Sequence, residues 1–426
     1  MTPLKILING AGIAGNALAF WLCRLGHNVT VLERAPKLRD TGLQVDLRGH
    51  GIEVLKRMGL EPAFKAKSIP ERGLQIVDSS GRRRGHFPVN TSGKGPQSFS
   101  TEYEIMRGDL CRLFYEASQD RAKYVFGTSV KRFANIDNGV EVEFTNGLTD
   151  RFDLLVGADG QGSRARRMML GSGTHDGFYP LAGTFVAYFT IPRPIQDGEE
   201  YIATMYLAPG KRGIMTRRHS PHELQVYIGC VGSGEEGIRD VRRGDVKKEK
   251  EILAEIFQGA GWETEELLRG MMNADDFYCE RLGLVKLDSW THGRVTLVGD
   301  AAYCPSAVTG MGTTSGIVGA YVLAGEIARH CGKPGQSALD GKKALVAALE
   351  AYEQRLQPFM AQVQKGVLED SAGPLDKLFS TAFGIAMIHH LVGLASFFQI
   401  NIGKWFLREE IHGWDLPDYE ELHART

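Results

Sequence analysis

The chain lacks the features that would tie it to a metal, a nucleic acid or a charged membrane. Six cysteines (Cys23, Cys111, Cys230, Cys279, Cys304 and Cys331) stand scattered through 426 residues. None forms a C-x-x-C pair and no His/Cys group has zinc spacing, so no metal site is read and the thiols are expected reduced and mostly buried. Charge of one sign is also missing. Fifty Lys and Arg oppose fifty-one Asp and Glu, for a net charge of −1, which excludes electrostatic steering toward nucleic acid or anionic lipid. Internal repeats are absent. No charged leader precedes the first apolar run, and the location read from this is cytoplasmic. One long uncharged run, residues 378–403, lies between Lys377 and Lys404. Its length suits a bilayer span, but His389, His390, Gln399, Asn401 and several glycines interrupt it. A packed helix is the favoured reading, with membrane association through this C-terminal helix as the lesser alternative.

Glycine is abundant instead: 52 residues, about 12% against a usual ~7%, spread over turns. The most telling of them lie in KILINGAGIAGNALAFWLCRLGHNVTVLER, Lys5 to Arg34. Ile6–Ile8 reads as a buried parallel strand. Gly10, Gly12 and Gly15 follow in G-x-G-x-x-G spacing, Ala17–Leu25 has helical periodicity, Gly26 stops it, and Val29–Leu32 is a second strand closed by Glu33. Gly10 permits the tight turn, Gly12 lets a pyrophosphate approach the backbone, and Gly15 lets helix and strand pack closely. The helix N-terminus offers N–H groups and partial positive charge to phosphates, and Glu33 can accept from ribose hydroxyls. Strand, helix, second strand and acid together indicate a dinucleotide site.

Further along, a short strand over Gly42–Leu47 leads to a helix over Gly51–Met58. Gly73–Asp78 and Arg82–Pro88 read as a hairpin, Thr91–Gln97 as a polar loop, and Arg107 opens a helix reaching about Ser118. Three strands, Ser129–Ile136, Val140–Thr145 and Thr149–Val156, form a meander joined by Asn-Gly turns. Beyond His175, strands at Ala182–Ile191, Tyr201–Leu207 and Leu224–Val231 and helices at Asp245–Phe257 and Glu263–Met272 suggest a second unit on an antiparallel sheet. A strand from Gly293 and a helix at Thr313–Arg329 return to the first unit. The tail reads as helices over Gly341–Val367 and Leu375–Leu407. The expected class is α/β: a Rossmann-like domain with a meander, a second domain, and a helical tail. The expected boundaries are 1–174 (with an insertion around 70–105 belonging to the second domain), 175–288, 289–340 for the resumed first domain, and 341–426.

Three more places carry chemistry. Arg107, at a helix start, suits a pyrophosphate, although an ordinary surface arginine would look the same. Asp159, flanked by Gly157 and Gly160, suits a bend beside a nucleotide, with helix capping by Asp159 or Ser163 as the plain alternative. Asp300, after Gly299, can bond a ribityl or ribose hydroxyl. The loop Gly310–Thr314 presents bare backbone at a helix start, where Gly312 and Thr313 could face a flavin ring.

Together these residues resemble the FAD-dependent aromatic hydroxylase family, the single-component flavin monooxygenases with the para-hydroxybenzoate hydroxylase fold. The resemblance covers about residues 4–170 and 290–360. It implies that the GAGIAG run (Gly10, Gly12, Ala14, Gly15) and Glu33 hold the ADP half of FAD, and that Arg107, Asp159, Gly299, Asp300, Gly310, Gly312 and Thr313 lie around the flavin. GLQVDL after Glu33-Arg34 is similar to the tetracycline-inactivating branch, which implies Arg34 and Asp46 beside FAD and Arg39 at NADPH. In the family a proline usually stands where this chain has Ser306, and a histidine where it has Tyr303. The implied activity is hydroxylation of an electron-rich aromatic or polycyclic phenol or enol through a flavin hydroperoxide, with NADPH or NADH as transient reductant and dioxygen as co-substrate. The implied state is a monomer or homodimer. No second G-x-G-x-x-G occurs for the reductant. A halogenase of this fold would need W-x-W, absent among the five tryptophans; a carrier or non-redox cyclase remains the alternative. No catalytic acid or base is assigned. Tyr206, His219, His222 and Tyr227 are the titratable candidates, and Phe185, Tyr188, Phe189 and Met205 suggest an apolar pocket or a sheet core.

Overall fold

The computed structural model describes residues 3–39, 42–90, 99–231, 241–242, 244–331, 338–369, 378–398 and 411–423. The glycine-rich opening folds as its pattern requires. Strand Lys5–Asn9, helix Ile13–Arg24 and strand Asn28–Glu33 make a βαβ unit. They belong to a six-stranded sheet in the spatial order Thr291–His292, Val295–Leu297, Leu154–Gly157, Lys5–Asn9, Asn28–Glu33, Lys123–Phe126. Every pairing is parallel except the hairpin at the Thr291 edge. Strands buried on both faces read as continuous apolar runs, which is why Ile6–Ile8, Val29–Leu32 and the strand after Gly293 were legible in sequence, whereas the edge strands Lys123–Phe126 and Thr291–His292 were not read. Helix Ile13–Arg24 packs on helix Gly312–Cys331, which in turn packs on Ala338–Gln364. Trp21, Tyr321, Tyr352 and Phe359 fill the space between them.

The meander differs from expectation at its end. Its strands are Val130–Ile136, Gly139–Phe144 and Thr149–Phe152, and the chain bends at Asp153 before Leu154–Gly157 joins the parallel sheet. Asp153 fixes that break: its carboxylate accepts the N–H of Lys5 at 2.8 Å while its own N–H donates to the Lys5 carbonyl.

The second sheet has seven strands, in the order Tyr278–Val285, Phe178–Pro192, Glu223–Cys230, Arg212–Arg217, Ala203–Ala208, Gly73–Val77, Arg83–Pro88. Two of them were not read from sequence: Arg212–Arg217 is short, bounded by arginines and carries Gly213, and in Tyr278–Val285 the pair Glu280-Arg281 interrupts the apolar pattern. The sheet is antiparallel except where Gly73–Val77 runs parallel to Ala203–Ala208. The 73–88 hairpin is thus built into the second sheet. Helices Val246–Phe257 and Thr264–Asn273 cover one face, where Leu253, Phe257, Leu267 and Met271 meet Phe185, Phe189, Tyr206, Ile214 and Ile228. Burial of side chains of this size stabilises by about 1.5–3 kcal/mol each. The opposite face, carrying Tyr188, Met205, Leu207, Met215 and Tyr227, looks toward the first unit.

A two-stranded ribbon, Gln44–Asp46 with Glu104–Met106, lies between the units. The tail helix Ala382–Phe397 lies along strand Arg83–Pro88, where Ser396 Oγ donates to the His86 carbonyl and accepts its N–H, both at 2.9 Å. Among the described residues no helix is long and apolar enough to cross a membrane. The polar loop at 91–97 and the tail beyond 398 to 407 lie outside the described residues, as does 375–377.

Candidate active site

Three chain segments meet first at backbone. Gly10 adopts φ +124°, and a Cβ there would lie 2.5 Å from the Ala158 carbonyl oxygen, so glycine is needed both for the turn and for the close approach of the 157–160 bend. Gly15 likewise has no room for a side chain beside Gly10. A Cβ added at Gly12 or Gly312, by contrast, would meet no protein atom within 4 Å. Bare backbone at both positions faces a cavity of about 790 Å³.

That cavity brings together Gly12, Ala14, Asp46, Arg107, Gly160, Gly299, Asp300, Gly310, Gly312 and Thr313. The helix beginning at Gly312 aims its N-terminus at it and is clamped from behind. Thr314 Oγ1 accepts the Arg48 N–H at 3.0 Å and lies 3.2 Å from the Arg48 carbonyl. Asp300 is open to the cavity yet deep in the protein. Burial raises its pKa, against the pull of the Arg107 guanidinium and a hydrogen bond from Cys304. Arg166, fully buried, locks the Asp300 turn to the 157–160 bend by donating to the Ala301 carbonyl at 3.1 Å and the Gln161 carbonyl at 2.7 Å. An acid for a hydroxyl, a cation for a phosphate, exposed glycine backbone and a helix N-terminus form a donor set that fits FAD.

The other predicted residues sit outside the cavity lining. Glu33 receives the N–H groups of Ala11 at 3.1 Å and Ala35 at 2.9 Å. Arg34 and Arg39 are exposed, and the Arg39 guanidinium lies 5.7 Å from the Tyr278 ring centre. Asp159 does what the plain alternative foresaw: it accepts Arg164 N–H at 2.8 Å, Ala165 N–H at 3.1 Å and the Ser163 hydroxyl at 2.5 Å, fixing the start of helix Arg164–Leu170.

The second sheet supplies the apolar wall: Tyr188, Met205, Leu207, Met215 and Tyr227, with two bare positions, Gly213 and Gly229, paired across adjacent strands. Of the four titratable candidates only Tyr227 lines the cavity. Tyr206 points to the helical side and donates to the Ala260 carbonyl at 2.6 Å. His219 lies 3.2 Å from Glu223, and His222 is exposed. Phe189 is core, and Phe185, buried in that same core, also borders the cavity.

One residue that sequence flagged takes on a definite shape, and one cluster escaped it. Ser306 lines the cavity at φ +67°, buried, with no partner for its hydroxyl. Proline is locked near −65°, so this loop cannot carry the family's usual residue in the shape it has here. Behind the wall, Arg217 is buried between Glu71 (2.6 Å) and Glu104 (3.0 Å). The residues of that ion cluster are spread over some 150 positions, and no local pattern announces it.

Comparison with known proteins agrees with the geometry. A family model described as an FAD binding domain matches residues 3–365. The FAD-dependent monooxygenase asL4 of Sarocladium schorii is 52% identical over 99% of each chain. The flavin-dependent monooxygenase eupH of a Phoma species is 38% identical over 98% of each. The crystal structure of tetracycline destructase Tet(51) superposes with a TM-score of 0.72 at 29% identity, covering 98% of this chain and 99% of that one.

Proposed function

Because the chain belongs to the FAD-binding-domain family and is an FAD-dependent monooxygenase, we propose that it uses NADPH or NADH and dioxygen to hydroxylate an electron-rich aromatic or polycyclic phenol or enol. The observation that carries this reading is a single continuous cavity. Its one side is made by Gly12, Arg107, Asp300 and Gly312, its other by Tyr188, Met205, Met215 and Tyr227. A cofactor held by the first set would lie against a substrate held by the second. The name of the similar tetracycline destructase supports a polycyclic enol as one member of the substrate class.

FAD, when bound, supplies the redox chemistry. The residues of this chain do the rest. Gly12 and Ala14 bring backbone to the pyrophosphate, with Gly10 and Gly15 shaping the turn, and Arg107 offsets phosphate charge. With FAD bound, Asp300 would accept from a ribityl hydroxyl, Gly310, Gly312 and Thr313 would border the flavin ring, and Asp46 would lie beside it. Glu33 and Arg34 would support the adenosine side, Asp159 would shape the 157–160 bend beside FAD by capping its helix, and Arg39, exposed beside Tyr278, would meet the reductant. The apolar sheet face excludes water and orients the ring to be oxidised. In this reading residues 1–174 and 289–340 form the FAD-binding domain, residues 175–288 with the 73–88 hairpin form the substrate domain, and 341–426 form the helical tail.

The test is NAD(P)H oxidation by the yellow, FAD-loaded protein with and without a panel of phenols and polycyclic enols, followed by mass spectrometry under isotopically labelled dioxygen. Substrate-stimulated oxidation with one labelled oxygen in the product supports the hydroxylase. Flavin-loaded protein that no compound stimulates would favour a carrier or non-redox role.

A further inference from the structure

Gln44 stands at the end of the ribbon between the two units, 5% exposed and lining the cavity. Its side-chain amide has only one sensible orientation. The nitrogen lies 3.2 Å from a carboxylate oxygen of Glu71 and 3.2 Å from one of Glu104. Glu71 accepts two guanidinium bonds from Arg217, and a carboxylate so paired accepts and does not donate, so the NH2 group must face it. Both acids are themselves held. Arg217 donates to Glu71 at 2.7 and 2.6 Å and lies 3.0 Å from Glu104, Ser100 donates to Glu71, and the Thr101 N–H donates to Glu104 at 3.3 Å. The Gln44 amide oxygen therefore turns away from the cluster, and among the described residues it has no hydrogen-bond partner.

A buried acceptor without a donor has lost its hydration with nothing in return, which a ligand can restore. The surroundings place that ligand on the substrate side. Gln44 lines the cavity together with Tyr227, which belongs to its apolar sheet face and whose hydroxyl donates to Gln225 at 3.4 Å. We propose that the Gln44 side-chain oxygen accepts a hydrogen bond from a hydroxyl of the bound substrate, and that Glu71, Glu104 and Arg217 are positioning residues that hold the amide in that orientation. This rests on the hydroxylase reading above and adds to it: the site selects ligands bearing an O–H donor next to the ring, not ring shape alone. A site built to bond a hydroxyl rejects the analogue that lacks it far more strongly than an apolar wall can.

The experiment titrates FAD-loaded protein with phenol and with anisole, following the visible spectrum of the flavin. The two probes share a ring, and only phenol has an O–H to donate. The wild-type protein is expected to prefer phenol by about tenfold or more. Gln44→Met, of similar size without the acceptor, is expected to bring the ratio near unity while retaining FAD. Glu104→Gln provides a second, isosteric variant. Its amide can donate or accept, so Gln44 is held one way by Glu71 alone, and the ratio is expected to fall between the other two. Equal affinities in wild type, no phenol binding, or a ratio indifferent to both substitutions would overturn the proposal. So would loss of FAD from Gln44→Met, which would assign Gln44 to the flavin. Substrate-stimulated NAD(P)H oxidation is measured separately, so the hydroxylase reading can stand while this one fails, or fail while the probe ratio still responds to Gln44.

Discussion

Gly299 packs against Ala14 so closely that a Cβ on Gly299 would lie 2.8 Å from that of Ala14, although 284 residues separate them in the chain. Gly299 also has φ +65°. The contact joins the strand end that carries Asp300 to the helix start of the glycine motif, and the candidate flavin site is built across it.

Gly299→Ala is therefore expected to separate the two halves of the flavin site. The left-handed backbone and the clash together should cost more than about 1 kcal/mol. The expected result is a lower melting temperature and a lower flavin-to-protein absorbance ratio after purification. Unchanged flavin content would show that this contact does not shape the site.

Arg166 offers a second handle on the same joint. Its guanidinium satisfies the carbonyls of Gln161, Asp176 and Ala301. Arg166→Met leaves these buried acceptors bare, at about 1–3 kcal/mol each before relaxation. Urea unfolding is expected to show a loss of several kcal/mol in total, and FAD affinity should fall with it because the Asp300 turn is no longer fixed. A variant as stable as wild type would contradict this role.

The large sheet was legible in part and for a definite reason. Phe185, Phe189, Tyr206, Leu224, Val226 and Ile228 alternate or cluster as β-branched and aromatic residues do on a half-buried sheet. Strand Arg212–Arg217, by contrast, is short, begins and ends in arginine and carries Gly213, and its sequence reads as a loop. Gly213 has an ordinary extended φ and a Cβ there would meet nothing within 4 Å. Neither backbone nor packing demands glycine at a strand interior, where it weakens the sheet. Gly213→Val is accordingly expected to keep the fold and FAD, to raise stability slightly, and to raise KM for a bulky polycyclic substrate more than for a single-ring phenol. Equal effects on both would mean that the ligand does not use the floor of the sheet.

Glu104 makes stability pH-dependent. Burial pushes its carboxyl up to about 7 from an ordinary 4.5, with Asp46 and Glu71 adding to the rise and Arg217 and Gln44 opposing it. Between those values the folded chain holds a proton that the unfolded chain has released, so stability falls as pH rises through the window. Glu104→Gln removes that dependence. Urea unfolding at about pH 5 and about pH 8 should show a larger loss for wild type than for the variant. Parallel losses would place Glu104 outside the account.

The glycine motif with its two flanking strands and the Asp300 turn could be read from sequence because each is local: strand, turn and helix within a few residues. Gln44, Glu71, Glu104 and Arg217 could not, because their meaning comes only from distances between strands of different sheets. Asp159 shows the limit from the other side. A Gly-Ala-Asp-Gly bend fits both a nucleotide neighbour and a helix cap, and its carboxylate is visibly engaged in capping.

The central claim is that segments around Gly12, Arg107 and Asp300 grip one flavin. Titration of apo-protein with FAD, followed by flavin fluorescence, tests it most directly. The account predicts saturation at one FAD per chain for wild type, with affinity lowered about tenfold or more, roughly 1.4 kcal/mol, in each of Arg107→Ala and Asp300→Ala. Wild-type protein that takes up no FAD, or variants that bind it as tightly as wild type, would contradict it.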